Sequence, residues 1–304
     1  MEKTVLICSA SYCKFTDEPL KMMEAAGLKL VRDNSLKTYE TWSQAQRDAV
    51  VAIVCAVEPI NDYVLDLLPN VEMVVKTGAG LDNIDQEATS RRGIAVRSAA
   101  GANASAVAEL TIGLLVAVTR GFVRSDRDIR NKVWGRYFGV ELSGKTLAVI
   151  GYGAIGQQVA QRAKCLGMKI IAYDAMPRKD LDVQYVDLET ALREGDFITL
   201  HAPLLPETHH LIRRETIELM KDGVYILNVA RGGIVNELDL VEAIKSGKVA
   251  GAALDVFENE PNVRQELLDC DQVILTGHIA GFTKEALNKI AMTNANQIID
   301  HFKK

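Results

Sequence analysis

The reading of the fold turns on residues 146–174, TLAVIGYGAIGQQVAQRAKCLGMKIIAYD. An apolar run, TLAVI, leads directly into Gly151, Gly153 and Gly156, spaced G-x-G-x-x-G. A helical stretch follows. A second apolar run, KIIAY, then ends on Asp174, 18 residues beyond Gly156. Strand, glycine turn, helix, strand and acidic end is the order of a dinucleotide-binding unit. In such a unit Gly151 permits the tight turn, Gly153 lets backbone approach a pyrophosphate, and Gly156 lets helix pack closely on strand. The helix N-terminus offers unpaired N–H groups to the phosphates. Asp174 can accept both ribose hydroxyls, and its charge repels a 2′-phosphate, which favours NAD over NADP. The plainer alternative is a glycine cluster that only packs a strand against a helix.

The alternation continues downstream. ITLHAP, VYILNVA, VAGAALDVF and QVILTG read as strands joined by helical links, giving six strand candidates from residue 146 onward. Upstream, TVLICSA, LKLV, AVVAIVCA, EMVVKTG and IAVRSA read as strands between amphipathic stretches. Strands alternating with helices predict an α/β protein with parallel, doubly wound sheets. Between the two series, residues 102–131 carry no strand signal and predict one long helix, capped by Asn103 or Ser105. KVWGRYFGVELSG then reads as a loop, and the last 22 residues as one amphipathic helix.

The chain has 304 residues, 48% of them hydrophobic, and that length predicts two domains. A net charge of -5 without a basic cluster argues against a nucleic-acid partner. The longest apolar run, AELTIGLLVAVT, is short of the roughly 18 residues of a membrane span. MEKTVLICSA lacks the features of a signal peptide. An odd count of five cysteines without C-x-x-C predicts reduced thiols, and together these features predict a cytoplasmic protein. No histidine spacing suits a metal, so none is expected.

Ligands of doubly wound sheets bind at the C-terminal ends of strands. Three polar residues sit at such ends: Arg231 after VYILNVA, Glu260 in LDVFENEP and His278 in TGHIAG. A histidine can exchange a hydroxyl proton, a carboxylate can orient its ring, and an arginine can grip an α-carboxylate. That set suits hydride transfer between a nicotinamide and a carbinol. Type and position leave other readings open: Arg231 as a helix-capping ion pair, Glu260 as a solvated charge, His278 as a surface histidine. His201 follows a strand and lines a cofactor site in this reading. The adjacent His209 and His210 are weaker candidates, since in a helix they would point about 100° apart.

At these residues the sequence resembles the D-isomer-specific 2-hydroxyacid dehydrogenase family across essentially the whole chain. The motifs KTGAGLDNID, ANASAVAELTIGLL, ELSGKTLAVIGYGAIG, HAPLLPET, NVARGGIVNE, AGAALDVFENEP and ILTGHIAG occur in family order. The resemblance implies a Rossmann NAD-binding domain, residues 101–281, inserted in a flavodoxin-like substrate domain, residues 1–100 and 282–304. It implies Arg231, Glu260 and His278 as the catalytic set, with His278 as acid/base and Glu260 as its partner. It implies that backbone N–H groups of Gly78, Ala79 and Gly80 cradle the substrate carboxylate. It places Ala154 and Ile155 at the pyrophosphate, and Ala202, Pro203, Val229, Ala230 and Asp255 around the nicotinamide side. It also implies a homodimer.

Within the family the chain looks closest to 3-phosphoglycerate dehydrogenase-like members without their regulatory domain. Lys76, with Arg136 as a second position, would then meet a substrate phosphate. Cys55 stands where that branch often has Arg, Ala154 where the fingerprint usually has Arg, and Gly277 where a Pro usually precedes the histidine. RSAAG replaces an Asn-Thr-Pro run and brings in Arg97, a residue otherwise read as surface. The expected activity is NAD-dependent interconversion of a D-2-hydroxyacid and its 2-oxoacid, on 3-phosphoglycerate or else on glyoxylate and hydroxypyruvate. An NAD(H)-sensing binding protein on the same fold is the alternative of a different class.

Overall fold

The computed structural model describes residues 2–78, 80–178 and 180–303. The chain forms two compact units, Met1–Asn103 with Gly281–Lys304, and Ala104–Ala280.

The first unit is built on five parallel strands: β1 (Thr4–Ile7), β2 (Lys29–Arg32), β3 (Val50–Cys55), β4 (Met73–Lys76) and β5 (Ala95–Ser98). Their spatial order is β2-β1-β3-β4-β5, the flavodoxin-like arrangement. β3 reads VVAIVC and is buried at every position, as a central strand covered on both faces requires. Short helices on the faces begin at side-chain caps. Asn61, Asp85 and the capping box of Ser43 with Gln46 each satisfy an N–H group the first turn leaves unpaired. The C-terminal helix, Lys284–Phe302, starts at the Thr283 cap and returns to this unit. Its Ala291, Ala295, Ile298 and Ile299 pack with Val5, Ile7, Val54 and Met73. Tyr12 donates from its hydroxyl to the Ala291 carbonyl (3.1 Å), and Asn294 donates to the Lys76 carbonyl (3.2 Å). Truncating Ile298 here would cost about 2–5 kcal/mol.

The second unit holds seven parallel strands: β6 (Thr146–Ile150), β7 (Lys169–Tyr173), β8 (Gln184–Tyr185), β9 (Phe197–Leu200), β10 (Val224–Asn228), β11 (Val249–Leu254) and β12 (Val273–Leu275). The order β12-β11-β10-β9-β6-β7-β8 reverses direction between β6 and β9, the Rossmann switch point. Sequence predicts six strands here. The seventh, β8, is two residues long, pairs with β7 through Ile171–Gln184 and Ala172–Tyr185, and is too short to show a period.

The single long helix expected over residues 102–131 is two helices, Ala104–Arg120 and Phe122–Arg130, bent by 63°. Gly121 between them has φ +61°, a left-handed conformation that ends the first helix. Ser105 lies inside that helix, where its hydroxyl bonds to Glu109 (3.0 Å) and accepts from Arg162 (2.8 Å), so it is not the cap. Val107, Leu114 and Leu115 join the core formed with Val159, Ala160 and Ala163 of the helix Ala154–Cys165. The second helix buries nothing, and Phe122, Val123, Ile129, Val133, Trp134 and Phe138 are exposed. Among the described residues no single helix is long and apolar enough to cross a membrane. All five cysteines are free thiols.

Candidate active site

Arg231, Glu260 and His278 all lie in the second unit, just beyond β10, β11 and β12. His278 Nδ1 lies 2.8 Å from Glu260 Oε2. The other carboxylate oxygen, Oε1, accepts from the Phe257 N–H at 3.0 Å. Glu260 is thus oriented from one side by backbone and from the other by the ring. The His278 side chain is 49% exposed, so its second nitrogen can meet a ligand.

His278 has φ +53°, a strained conformation for a side chain other than glycine. The strain is held in place by Asp255. The His278 N–H donates to the Asp255 carbonyl at 2.7 Å. The Asp255 carboxylate accepts from the Thr276 hydroxyl (2.6 Å), the Ile279 N–H (2.9 Å) and the Ala280 N–H (2.9 Å). Asp255 has no exposed surface. The resemblance put it on the nicotinamide side. Its carboxylate braces the histidine turn through these three bonds. Gly277, beside the histidine, is not in the left-handed region, and a Cβ there would meet nothing within 4 Å. The turn does not depend on that glycine.

Arg231 is placed by Asn228, which the sequence reading passed over. Asn228 is fully buried at the end of β10. It donates to the Arg231 carbonyl (2.8 Å) and accepts from the Ala230 N–H (3.1 Å). A lone Asn closing the apolar run VYILN was the available signal. Next to Arg231, a Cβ on Gly232 would lie 1.9 Å from the Phe257 carbonyl carbon. The segments carrying Arg231 and Glu260 therefore touch backbone to backbone.

The glycine turn after β6 fits a dinucleotide. Gly151 has φ +93°, and a Cβ there would lie 2.6 Å from the Ala202 nitrogen. A Cβ on Gly156 would lie 2.2 Å from the Gly151 carbonyl oxygen. Gly153 faces open space, where a Cβ would fill the approach to a ligand. Ala154 and Ile155 open the helix behind it. Asp174, at the end of β7, accepts from the Tyr152 N–H (2.8 Å) and the Met176 N–H (2.9 Å), one bond per oxygen. Each oxygen keeps acceptor capacity, enough for two ribose hydroxyls. Ala202 and Pro203 follow β9, and Val229 and Ala230 follow β10. His201, at the switch point, bonds through Nε2 to the Thr199 hydroxyl (2.9 Å). Burial holds its imidazole down to about 3, so it stays neutral.

The remaining candidates belong to the first unit. Gly78 has φ +148° just after β4, and Gly80 follows; Ala79 lies outside the described residues. The Lys76 ammonium donates to the Ala56 carbonyl and to Asn83 Oδ1. Cys55 is buried beside it, and burial pushes its thiol up to about 11. The Glu58 carboxylate accepts from the Ala56 N–H at 2.6 Å. Arg97 is exposed and bonds to the Val96 carbonyl (3.0 Å), as a surface arginine does.

A Rossmann sheet with a dinucleotide turn and a His–Glu pair at its strand ends defines an NAD-dependent oxidoreductase. Residues 112–280 match the model for the D-isomer specific 2-hydroxyacid dehydrogenase, NAD binding domain. The chain is 44% identical over 254 residues to a hydroxypyruvate reductase of Thermotoga maritima, covering 82% of this chain and 83% of the relative. It is 40% identical over 289 residues to a D-3-phosphoglycerate dehydrogenase of Methanocaldococcus jannaschii, covering 93% of this chain but only 55% of that longer protein. The crystal structure of a glyoxylate reductase from Paecilomyes thermophila superposes with a TM-score of 0.90 at 31% identity, covering 98% of this chain and 96% of that one. The chain belongs to the D-isomer-specific 2-hydroxyacid dehydrogenase family.

Proposed function

We propose that this dehydrogenase reduces a small, unphosphorylated 2-oxoacid to its D-2-hydroxyacid, and catalyses the reverse reaction, with His278 as acid/base. The observation that carries the assignment is the 2.8 Å contact of His278 Nδ1 with Glu260. When bound, NAD(H) supplies or accepts the hydride. Gly151 to Gly156 and Asp174 would hold it, with Asp174 favouring NAD over NADP by repelling a 2′-phosphate. In reduction, His278 gives the proton on Nε2 to the oxygen of the former carbonyl. In oxidation, Nε2 takes the hydroxyl proton. Glu260 holds Nδ1 protonated throughout, which keeps Nε2 the reacting nitrogen. Arg231 grips the carboxylate with paired bonds.

The substrate class rests on Lys76 and Cys55. Lys76 donates to the Ala56 carbonyl and to Asn83, burial keeps the thiol of Cys55 uncharged, and the Glu58 side chain accepts from the Ala56 N–H. Cys55 adds no positive charge to that of Lys76, and one ammonium does not balance a phosphate dianion. The likeness to a hydroxypyruvate reductase supports the same side chain class. The likeness to phosphoglycerate dehydrogenases favours the phosphorylated substrate as the second reading. The exposed apolar residues from Phe122 to Phe138 support a homodimer joined through this segment, with Trp134→Glu yielding a monomer in light scattering.

NADH oxidation with hydroxypyruvate, glyoxylate, pyruvate and phosphohydroxypyruvate tests the proposal. The first two should lead. Preference for the phosphorylated acid would overturn the substrate class, and turnover of none would favour the NAD(H)-sensing reading. His278→Gln should lose at least about 100-fold in kcat while still binding NADH.

A further inference from the structure

His209 and His210 are not helical. Their rings stack at 4.0 Å, and His210 has φ +49°. Glycine takes that conformation freely and a histidine does not, so something outside the local backbone retains the imidazole here. That partner is Glu258, whose Oε1 lies 2.7 Å from His210 Nε2.

The position of Glu258 gives this pair its meaning. It precedes Glu260 by two residues. Its Oε2 accepts from Arg264 at 3.1 Å, and its N–H donates to Glu237 Oε1 at 2.8 Å. Arg264 also pairs with Glu237 at 3.3 Å, closing a ring of contacts around the base of the Glu260 loop. Glu237 is 2% exposed, so this ring is anchored in the core. The backbone of His210 reaches the opposite way, its N–H donating at 2.8 Å to the carbonyl of Gly233, two residues beyond Arg231.

We propose that His210 is a positioning residue, bridging the Arg231 segment through its backbone and the Glu260 loop through its ring, and so setting the spacing of the catalytic groups. The proposal rests on the reading of Arg231, Glu260 and His278 as the reacting set. His210 acts on them through Glu258. Removing the imidazole leaves the Glu258 carboxylate held on its Arg264 side, with its N–H still on Glu237. The loop from Phe257 to Glu260 then shifts relative to Gly232, and the Glu260–His278 pair shifts with it. Small displacements of reacting groups lower turnover more than binding.

The test uses the full-length protein with NADH and the best 2-oxoacid of the panel. His210→Gly, Glu258→Ala and the double variant are compared with the parent for kcat, KM, NADH affinity and Tm, with His278→Gln as control. We expect His210→Gly to lower kcat about tenfold. KM and NADH affinity should move less than about threefold, and Tm should change little, since glycine relieves the positive φ. Adding His210→Gly to Glu258→Ala should lower kcat no further, because the bridge is already broken. Parental kcat in His210→Gly, a kcat loss that only tracks a falling Tm, or losses that multiply in the double variant would each overturn the positioning role. Near-parental turnover in His278→Gln would instead remove the site reading, and this proposal with it.

Discussion

The turn after β6 is made of backbone, and the turn after β12 is made around one side chain. At the first, Gly151 and Gly156 are required because backbone atoms of Ala202, His201 and Gly151 itself occupy the places a Cβ would take. At the second, Gly277 faces open space, and the buried carboxylate of Asp255 gathers the Thr276 hydroxyl and two N–H groups. A turn meant to admit a pyrophosphate must keep side chains out. A turn meant to aim a side chain must fix its backbone, and hydrogen bonds from a neighbouring strand end do that without glycine.

Breaking the first turn should have the largest effect. Gly156→Ala forces helix and strand apart and should destabilise the second unit by about 3 kcal/mol or more. NADH affinity, read by quenching of protein fluorescence, should fall at least about 100-fold, the equivalent of that energy. Parental affinity would mean the helix can shift without disturbing the ligand site. Asp255→Ala comes next. It leaves three donors without their acceptor, at a cost of about 3 kcal/mol in urea unfolding. It also frees the turn, so kcat should fall tenfold or more while NADH still binds, about the scale of a misplaced catalytic group. Equal losses in both would show that the two turns are not separable.

Asp174→Ser sharpens the first turn's role. The ratio of kcat/KM for NADH over NADPH should drop about tenfold, and an unmoved ratio would place the ribose elsewhere. A smaller effect belongs to His201. Its folded imidazole titrates near 3 against an ordinary 6.5, so the unfolded chain takes up this proton first as pH falls. The stability it contributes is complete above about pH 6.5 and is lost progressively toward pH 3. His201→Asn should therefore shrink the fall in Tm between pH 7 and 5 by about 2–5 °C. An unchanged fall would mean that the histidine is hydrated and titrates normally. The smallest effect is expected from Gly277→Ala, with kcat within about twofold of the parent, since open space and an ordinary φ accommodate the methyl group. A large loss there would return the turn to glycine control.

Legibility in the sequence followed the range of the interaction. Strand runs such as VVAIVC and TLAVI show because a parallel sheet buries both faces over consecutive residues. The nucleotide turn shows because its constraints fall on glycines two to five residues apart. The break at Gly121 was present as a residue, but an apolar helix running into it carried the reading past it. β8 was invisible because a two-residue strand has no period.

By itself the sequence determined two parallel α/β sheets, the dinucleotide turn, Asp174 at its strand end, and Arg231, Glu260 and His278 as residues at strand ends. Those features are written in local order, where spacing and side-chain type carry the physics. Tertiary structure alone decided how the residues are held. It made Asp255 the brace of the histidine turn, and engaged Lys76 with Asn83 and the Ala56 carbonyl. It also brought His210 to Glu258 across 48 residues of chain. Hydrogen bonds between groups so far apart in sequence leave no periodic trace, because their geometry is set by which strands the sheet places side by side.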